Sequence, residues 1–117
     1  MDRTALRDYC LSKAGTTAEF PFGPEAEVFK VIGKMFALIP MDAPLSISLK
    51  CDPALAEILR QTYPAVIPGY HLSKKHWNTI SIDGSVPDDE VLEMIDHSYD
   101  LVVKGLKKCE RERLAGL

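Results

Sequence analysis

The ten residues from 70 to 79 hold the densest group of chemically versatile side chains in this sequence. They read Tyr70-His71-Leu72-Ser73-Lys74-Lys75-His76-Trp77-Asn78-Thr79 and include two lysines, two histidines, one tyrosine and the only tryptophan. Lysines attract phosphate groups, a histidine makes a pH-dependent contact with an anion, and an aromatic ring stacks on a nucleobase. The segment is therefore a candidate nucleic-acid site.

Each side chain of this segment also has a structural interpretation. Lys74 and Lys75 could contact phosphate from a loop or could form a solvated turn. Trp77 could stack on a base for ~1 to 3 kcal/mol, but a core anchor whose loss costs ~3 to 5 kcal/mol is the favoured interpretation. Asn78 could bind the edge of an adenine, although an asparagine beside a turn more often satisfies the local backbone.

Metal binding and covalent catalysis have little support in the sequence. His71 and His76 lie five positions apart in an extended segment and so point to opposite faces. The cysteines Cys10, Cys51 and Cys109 form no Cys-x-x-Cys pair, and Cys51 falls on the apolar face of a predicted strand, where a thiol is buried and inert. No nucleophile elbow or phosphate-binding glycine loop is present. We expect no enzymatic activity, no cofactor and no metal.

The composition is typical of one folded domain. With 117 residues, 46% hydrophobic and 26% charged, the chain is expected to form a single domain over residues 1–117 with a frayed tail at 109–117. The net charge of -3 counts against a general attraction to DNA or to an anionic membrane, so any anion site must be local. The cysteine pattern and the absence of a long apolar run predict a cytoplasmic monomer without membrane contact.

Hydrophobic periodicity and turn residues predict the elements that position the candidate site. A first helix runs from Asp2 to Gly15, and a hairpin from Glu27 to Pro40 turns at Gly33-Lys34. The strand from Leu45 to Cys51 alternates apolar and polar residues, so one of its faces is buried. Asp52-Pro53 begins the second helix, with the carboxylate as its cap.

The second half of the chain completes a two-layer arrangement. The second helix carries an apolar stripe of Leu55, Ile58 and Leu59, a further strand runs from Trp77 to Asp83, and a last helix runs from Pro87 to Leu106. The order predicts an α+β fold in which about three helices cover one face of an antiparallel sheet of four to five strands. The other face of the sheet is left open for binding.

Four segments of the sequence resemble the bacterial MmcQ/YjbR family. They are Val28–Leu38, Leu49–Pro53, Tyr70–Thr79 and Ser98–Val102, and they follow in the family's order over nearly the whole chain. Some relatives carry a Gly-Gly pair in the first hairpin where this chain has Ile32-Gly33. The resemblance implies a compact domain with an antiparallel sheet, similar to secretion-chaperone folds and to a "double wing" arrangement proposed to bind DNA.

The resemblance implies a DNA-facing role for two groups of residues, one in the first hairpin and one in the segment from 70 to 79. The candidate nucleic-acid-binding residues are Lys30, Lys34, His71, Lys74, Lys75, His76, Trp77 and Asn78. Lys30 and Lys34 could instead protect an exposed sheet edge from pairing with another chain. The alternative function is a protein-binding adaptor that uses the open sheet face or the hairpin edge, which the acidic net charge favours.

Overall fold

The computed structural model describes residues 1–117 as four helices and six strands. They are α1 (Arg3–Leu11), β1 (Thr16–Glu19), β2 (Ala26–Val31), β3 (Lys34–Pro40), β4 (Ser46–Lys50), α2 (Pro53–Thr62), β5 (Val66–Pro68), β6 (Trp77–Ser81), α3 (Asp88–Lys104) and α4 (Lys108–Ala115). All strands pair antiparallel in the order β1-β2-β3-β4-β6-β5. None of the helices combines the length and apolar character that crossing a membrane requires.

The helices share one face of the sheet, as the alternation of β4 predicts. Ile47 and Leu49 belong to the main hydrophobic core with residues of α1, α3 and α4, such as Leu6, Ile95 and Leu114, and Leu59 of α2 packs against this core. Side chains alternate along each strand, so the next row of residues across the sheet lies on the other face. This row consists of Val28, Leu38, Ser48 and Thr79. The structure therefore confirms the two-layer α+β fold with one face free of helices.

A buried carboxylate attaches α1 to this layer. Glu27 is 4% exposed and lies on the helix-covered face of β2. Arg3 Nη2 and Arg7 Nε lie 3.4 and 3.1 Å from its two carboxylate oxygens. Since an unpaired buried charge is strongly destabilising, the two arginines explain why an acid is tolerated at this position.

A β-bulge in β3 is completed by a side chain of α3. Phe29 pairs with Ala37 while Lys30 pairs with Met35, so Phe36 is an extra residue in β3. The fully buried Ser98 donates its hydroxyl to the Phe36 carbonyl at 2.5 Å and accepts from the Lys50 amide at 2.9 Å. One hydroxyl thus satisfies two backbone groups that the β3–β4 ladder leaves unpaired.

Several features differ from the sequence-based expectations. The strands β1 and β5 were not assigned as such, and the turn of the first hairpin falls at Ile32-Gly33, one residue earlier than expected. The apolar stripe of α2 is not buried, because Leu55 and Leu59 are only half-buried and Ile58 is 57% exposed.

The tail predicted to be frayed is a helix. Residues 108–115 form α4, and Leu114 is 9% exposed within the main core. Its Cδ1 packs so closely on Gly15 that a Cβ added there would come within 2.5 Å. The expectation of disorder was wrong because this apolar contact, across the whole length of the chain, cannot be read from the polar sequence of the tail itself.

We expect Leu114→Ala to lower the free energy of unfolding by about 2 kcal/mol or more, since it leaves a cavity in the core. Leu117→Ala is the matched control, because Leu117 is 76% exposed and its truncation should cost less than ~0.5 kcal/mol. Urea denaturation measures both. Equal, small effects would mean that α4 is not docked.

Ser98→Ala should destabilise the protein by about 2 kcal/mol, because the buried Phe36 carbonyl and the Lys50 amide both lose their partner. Ser12→Ala is the control, since the exposed Ser12 hydroxyl bonds only the neighbouring Tyr9 carbonyl and water can replace it. Thermal and urea unfolding of the two variants gives the comparison. A loss no larger for Ser98→Ala than for Ser12→Ala would contradict the role of this hydroxyl.

Candidate nucleic-acid interface

Two connections between strands project from the same end of the sheet. The β2–β3 turn follows Val31, which pairs with Lys34, and residues 69–76, here called the basic loop, join β5 to β6. Lys50, at the end of β4, pairs with Trp77 at the start of β6. The basic loop directly precedes Trp77 and therefore lies at this end of the sheet. One strand, β4, separates β3 from β6, which places the two connections on the order of 10 Å apart.

The β2–β3 turn presents Lys34 to solvent. Its two central residues, Ile32 and Gly33, have φ angles of 47° and 79°, as in a type I′ turn. A left-handed isoleucine is strained, but Ile32 is partly buried against the core and its Cδ1 faces Gly15. Packing therefore holds the turn, and Lys34 begins β3 as an exposed residue.

Lys30 is positioned differently from Lys34. It lies on the open face of the sheet, and its Nζ is 3.7 Å from Glu19 Oε1 on β1. This ion pair offsets the positive charge of Lys30 within the protein. Lys34, Lys74 and Lys75 take part in none of the ion pairs, so their charges remain available to an external anion.

Backbone hydrogen bonds hold the basic loop together, and its cationic side chains are exposed. The Ser73 carbonyl accepts from the amides of His76 and Trp77 at 3.2 and 2.9 Å, and the Gly69 amide donates to the Trp77 carbonyl at 2.7 Å. Lys74 Nζ donates to the Gly69 carbonyl at 3.3 Å. The side chains of Lys74, Lys75 and His76 are exposed.

An exposed aromatic pair precedes these cations. Tyr70 is 67% exposed, and its ring centroid lies 4.0 Å from that of His71. His71 has a φ of 60°, a left-handed conformation that directs its ring back onto the tyrosine. The pair is the accessible aromatic surface of the basic loop.

Arg60 of α2 anchors the basic loop, and sequence reasoning did not identify it. Its guanidinium donates to the Lys74 carbonyl, to the Trp77 carbonyl at 3.3 Å and to Asn78 Oδ1 at 2.7 Å. A lone arginine near a helix C-terminus gives no signal for such contacts, because its partners lie 14 to 18 residues away in sequence. Arg60, Lys74 and Lys75 also line a shallow polar groove beside the first turn of α2.

Two of the predicted contact residues do not face solvent. Asn78 is 2% exposed, lies on the helix-covered face opposite Leu49, and uses its amide on Arg60 and on the Ala56 carbonyl. Base reading by Asn78 was therefore wrong. Trp77 is 9% exposed and its Cβ is covered by Gly69, where an added Cβ would approach within 2.7 Å, so the structural interpretation of the tryptophan holds and base stacking by it does not.

The thiols of Cys10 and Cys51 are buried and free. Burial raises the pKa of Cys51 to about 11 and that of Cys10 to about 12. Both therefore stay protonated at neutral pH, the state in which a thiol is a poor nucleophile and a poor metal ligand. The structure brings together no group of three or more histidine, cysteine or acidic side chains that could hold a metal ion.

Together these features define a two-layer α+β domain with a cationic loop and a cationic turn at one end of an antiparallel sheet. The sequence model of the YjbR family matches residues 11–101. The YjbR protein of Escherichia coli K12 is 36% identical over 118 residues, with 100% of both chains covered. YbdF of Escherichia coli O157:H7 is 38% identical over 101 residues, covering 81% of this chain and 79% of YbdF. The chain belongs to the YjbR family.

Solved structures share the fold. The Deinococcus radiodurans protein DR2400, a DUF419 domain, is 43% identical and superposes with a TM-score of 0.90, covering 96% of this chain and 86% of that one. A Pseudomonas syringae protein is 30% identical, with a TM-score of 0.76 and coverage of 86% of this chain and 98% of that one. The six-stranded sheet with its helix layer is therefore the architecture of close relatives as well.

Arg60→Met should loosen the basic loop, because it keeps an apolar stem but removes every donor to the loop. We expect a loss of about 2 kcal/mol in unfolding free energy, since buried Asn78 Oδ1 loses a charged partner. Amide exchange of His76 and Trp77 should become faster. The control Glu57→Gln changes an exposed side chain of the same helix and should alter neither quantity. Unchanged exchange in Arg60→Met would show that Arg60 does not hold the loop.

Proposed function

We propose that this protein is a cytoplasmic, monomeric DNA-binding domain that contacts the phosphate backbone with the basic loop and the β2–β3 turn. The observation that carries the proposal is that Lys34, Lys74 and Lys75 are exposed at one end of the sheet and have no acidic partner within the protein. Exposed His71 and His76 lie in the same loop as Lys74 and Lys75. The relatives' names state no function, so the proposal rests on this chain's own geometry.

The geometry favours backbone contact over sequence reading. Trp77 and Asn78 are buried, and Lys30 is paired with Glu19, so these three predicted contacts are not part of the proposed site. Lysine contacts to phosphate fix a protein on DNA without distinguishing bases. The exposed Tyr70 takes the stacking position that the sequence suggested for Trp77, and it would favour unpaired bases over a duplex.

The first turn of α2 supports anion binding beside Lys74 and Lys75. Pro53 and Ala54 line the same polar groove as the two lysines, and the N-terminal end of a helix carries partial positive charge. Glu57 also lines this groove and opposes the effect. With a net charge of -3 on the whole chain, binding should be weak and strongly dependent on salt.

Lys74→Glu/Lys75→Glu should weaken DNA binding and reduce its dependence on salt. Fluorescence anisotropy with labelled duplex and single-stranded DNA at ~50 and ~200 mM salt measures the effect, and loss of two phosphate contacts should reduce the log–log salt slope for duplex by about 1.8. Lys107→Glu/Lys108→Glu is the matched control, because it makes the same charge change at two adjacent exposed lysines of the α4 start. Equal weakening by both variants would indicate a diffuse electrostatic effect and not a site.

The second candidate function is a protein-binding adaptor at the β5 edge of the sheet. β5 is an edge strand, and large apolar side chains are exposed on it and near it, with Ile67 47% and Ile58 57% exposed. An exposed edge and apolar residues favour pairing with a protein segment. Absence of DNA binding by the wild-type protein up to ~100 μM, the usual non-specific range, would move this function to first place.

A further inference from the structure

The helix layer leaves a cavity between α2 and α3. α2 packs over β5 and β6 while α3 packs over β2, β3 and β4, so neither helix covers the β4–β6 boundary fully. A partly enclosed cavity of about 180 Å³ lies in this gap. Buried Leu49 and Ile80, from β4 and β6, form its floor. The cavity is on the helix-covered side of the sheet and does not include the basic loop.

The apolar residues of α2 face this cavity. Leu55 and Leu59 belong to the stripe that the sequence predicted to be buried, yet both are only half-buried and line the gap. Met94 of α3 closes the opposite wall. An enclosed apolar cavity of about 150 Å³ accepts a benzene-sized ring, and the volume of this cavity is similar. Occupation by an apolar group would complete the burial of Leu55 and Leu59.

The charges at the cavity have one sign. Glu90, Glu93 and His97 are spaced three and four residues apart, so they share one face of α3 and line the mouth. His97 Nε2 accepts from the Asp52 amide at 3.2 Å, so this nitrogen is already engaged within the protein. Lys50 also borders the cavity, but strand alternation directs its side chain to the open face, away from Leu49. The two carboxylates therefore make the mouth negative.

We propose that this cavity is a binding site for a small amine that carries one six-membered apolar ring. The ring would occupy the space between Leu49, Leu59 and Met94, and the ammonium group would lie at Glu90 and Glu93. The volume limits the ring to about the size of benzene with a short chain. None of the residues that line the site belongs to the basic loop or to the β2–β3 turn.

The test compares three probes that share a phenylethyl group and differ in the charge at its end: 2-phenylethylamine, 2-phenylethanol and 3-phenylpropionate. Methyl NMR spectra of the wild-type protein report binding at Leu55, Leu59, Ile80 and Met94. Ligands of this size bind with dissociation constants on the order of a millimolar. The amine should shift these methyl signals at the lowest concentration, the alcohol at a several-fold higher one, and the propionate least.

Glu90→Gln/Glu93→Gln should weaken binding of the amine about tenfold and leave binding of the alcohol unchanged. Glu57→Gln, on the opposite side of α2, is the control and should change neither. Leu59→Phe, which fills the cavity, should abolish binding of both the amine and the alcohol. The NMR spectrum of this variant should show that it remains folded. The proposal is overturned if no probe shifts these methyl signals at ~20 mM, if the propionate binds as well as the amine, or if only exposed Ile58 and Ile67 respond.

Discussion

The short segment at the end of β4 is the point on which the rest of the structure depends. Its three successive amides are held by two different elements, α3 and the basic loop. The Lys50 amide donates to a buried hydroxyl of α3, and the Cys51 amide donates to the His76 carbonyl of the basic loop at 2.8 Å. The Asp52 amide donates to His97 of α3, and the Asp52 carboxylate caps α2. The sheet, α3, α2 and the basic loop are therefore fixed relative to one another through three residues of extended chain.

Features set by near neighbours in the sequence were predictable. The alternation of β4 identified which side chains face the helices, because the period of two is a property of the strand itself. Asp52-Pro53 identified the start of α2, because cap and first-turn proline act within three residues. The fold class followed from these elements and from the resemblance to the family.

Features set by distant partners were not predictable. β1 and β5 are edge strands of four and three residues whose identity depends on pairing with β2 and β6, and segments this short show no alternation of their own. Within the candidate site, the sequence predicted the segment from 70 to 79 and favoured a buried Trp77, but it did not place Asn78 on the helix-covered face. The side on which Asn78 lies follows from its register with Leu49, and its partner Arg60 comes from a different element. Composition alone carries no information about either.

The two proposed sites meet at α2 without sharing a residue. Leu55 and Leu59 face the cavity, while Arg60 reaches in the other direction to the Lys74 carbonyl. α2 has a single buried residue, Ala56, and its Asp52 cap and the contacts of Arg60 help to hold it in place. Filling the cavity would cover Leu55 and Leu59, the part of its apolar stripe that lines the cavity. Because α2 also carries the arginine that anchors the basic loop, the stability of this one helix sets how rigidly the lysines of the loop are presented.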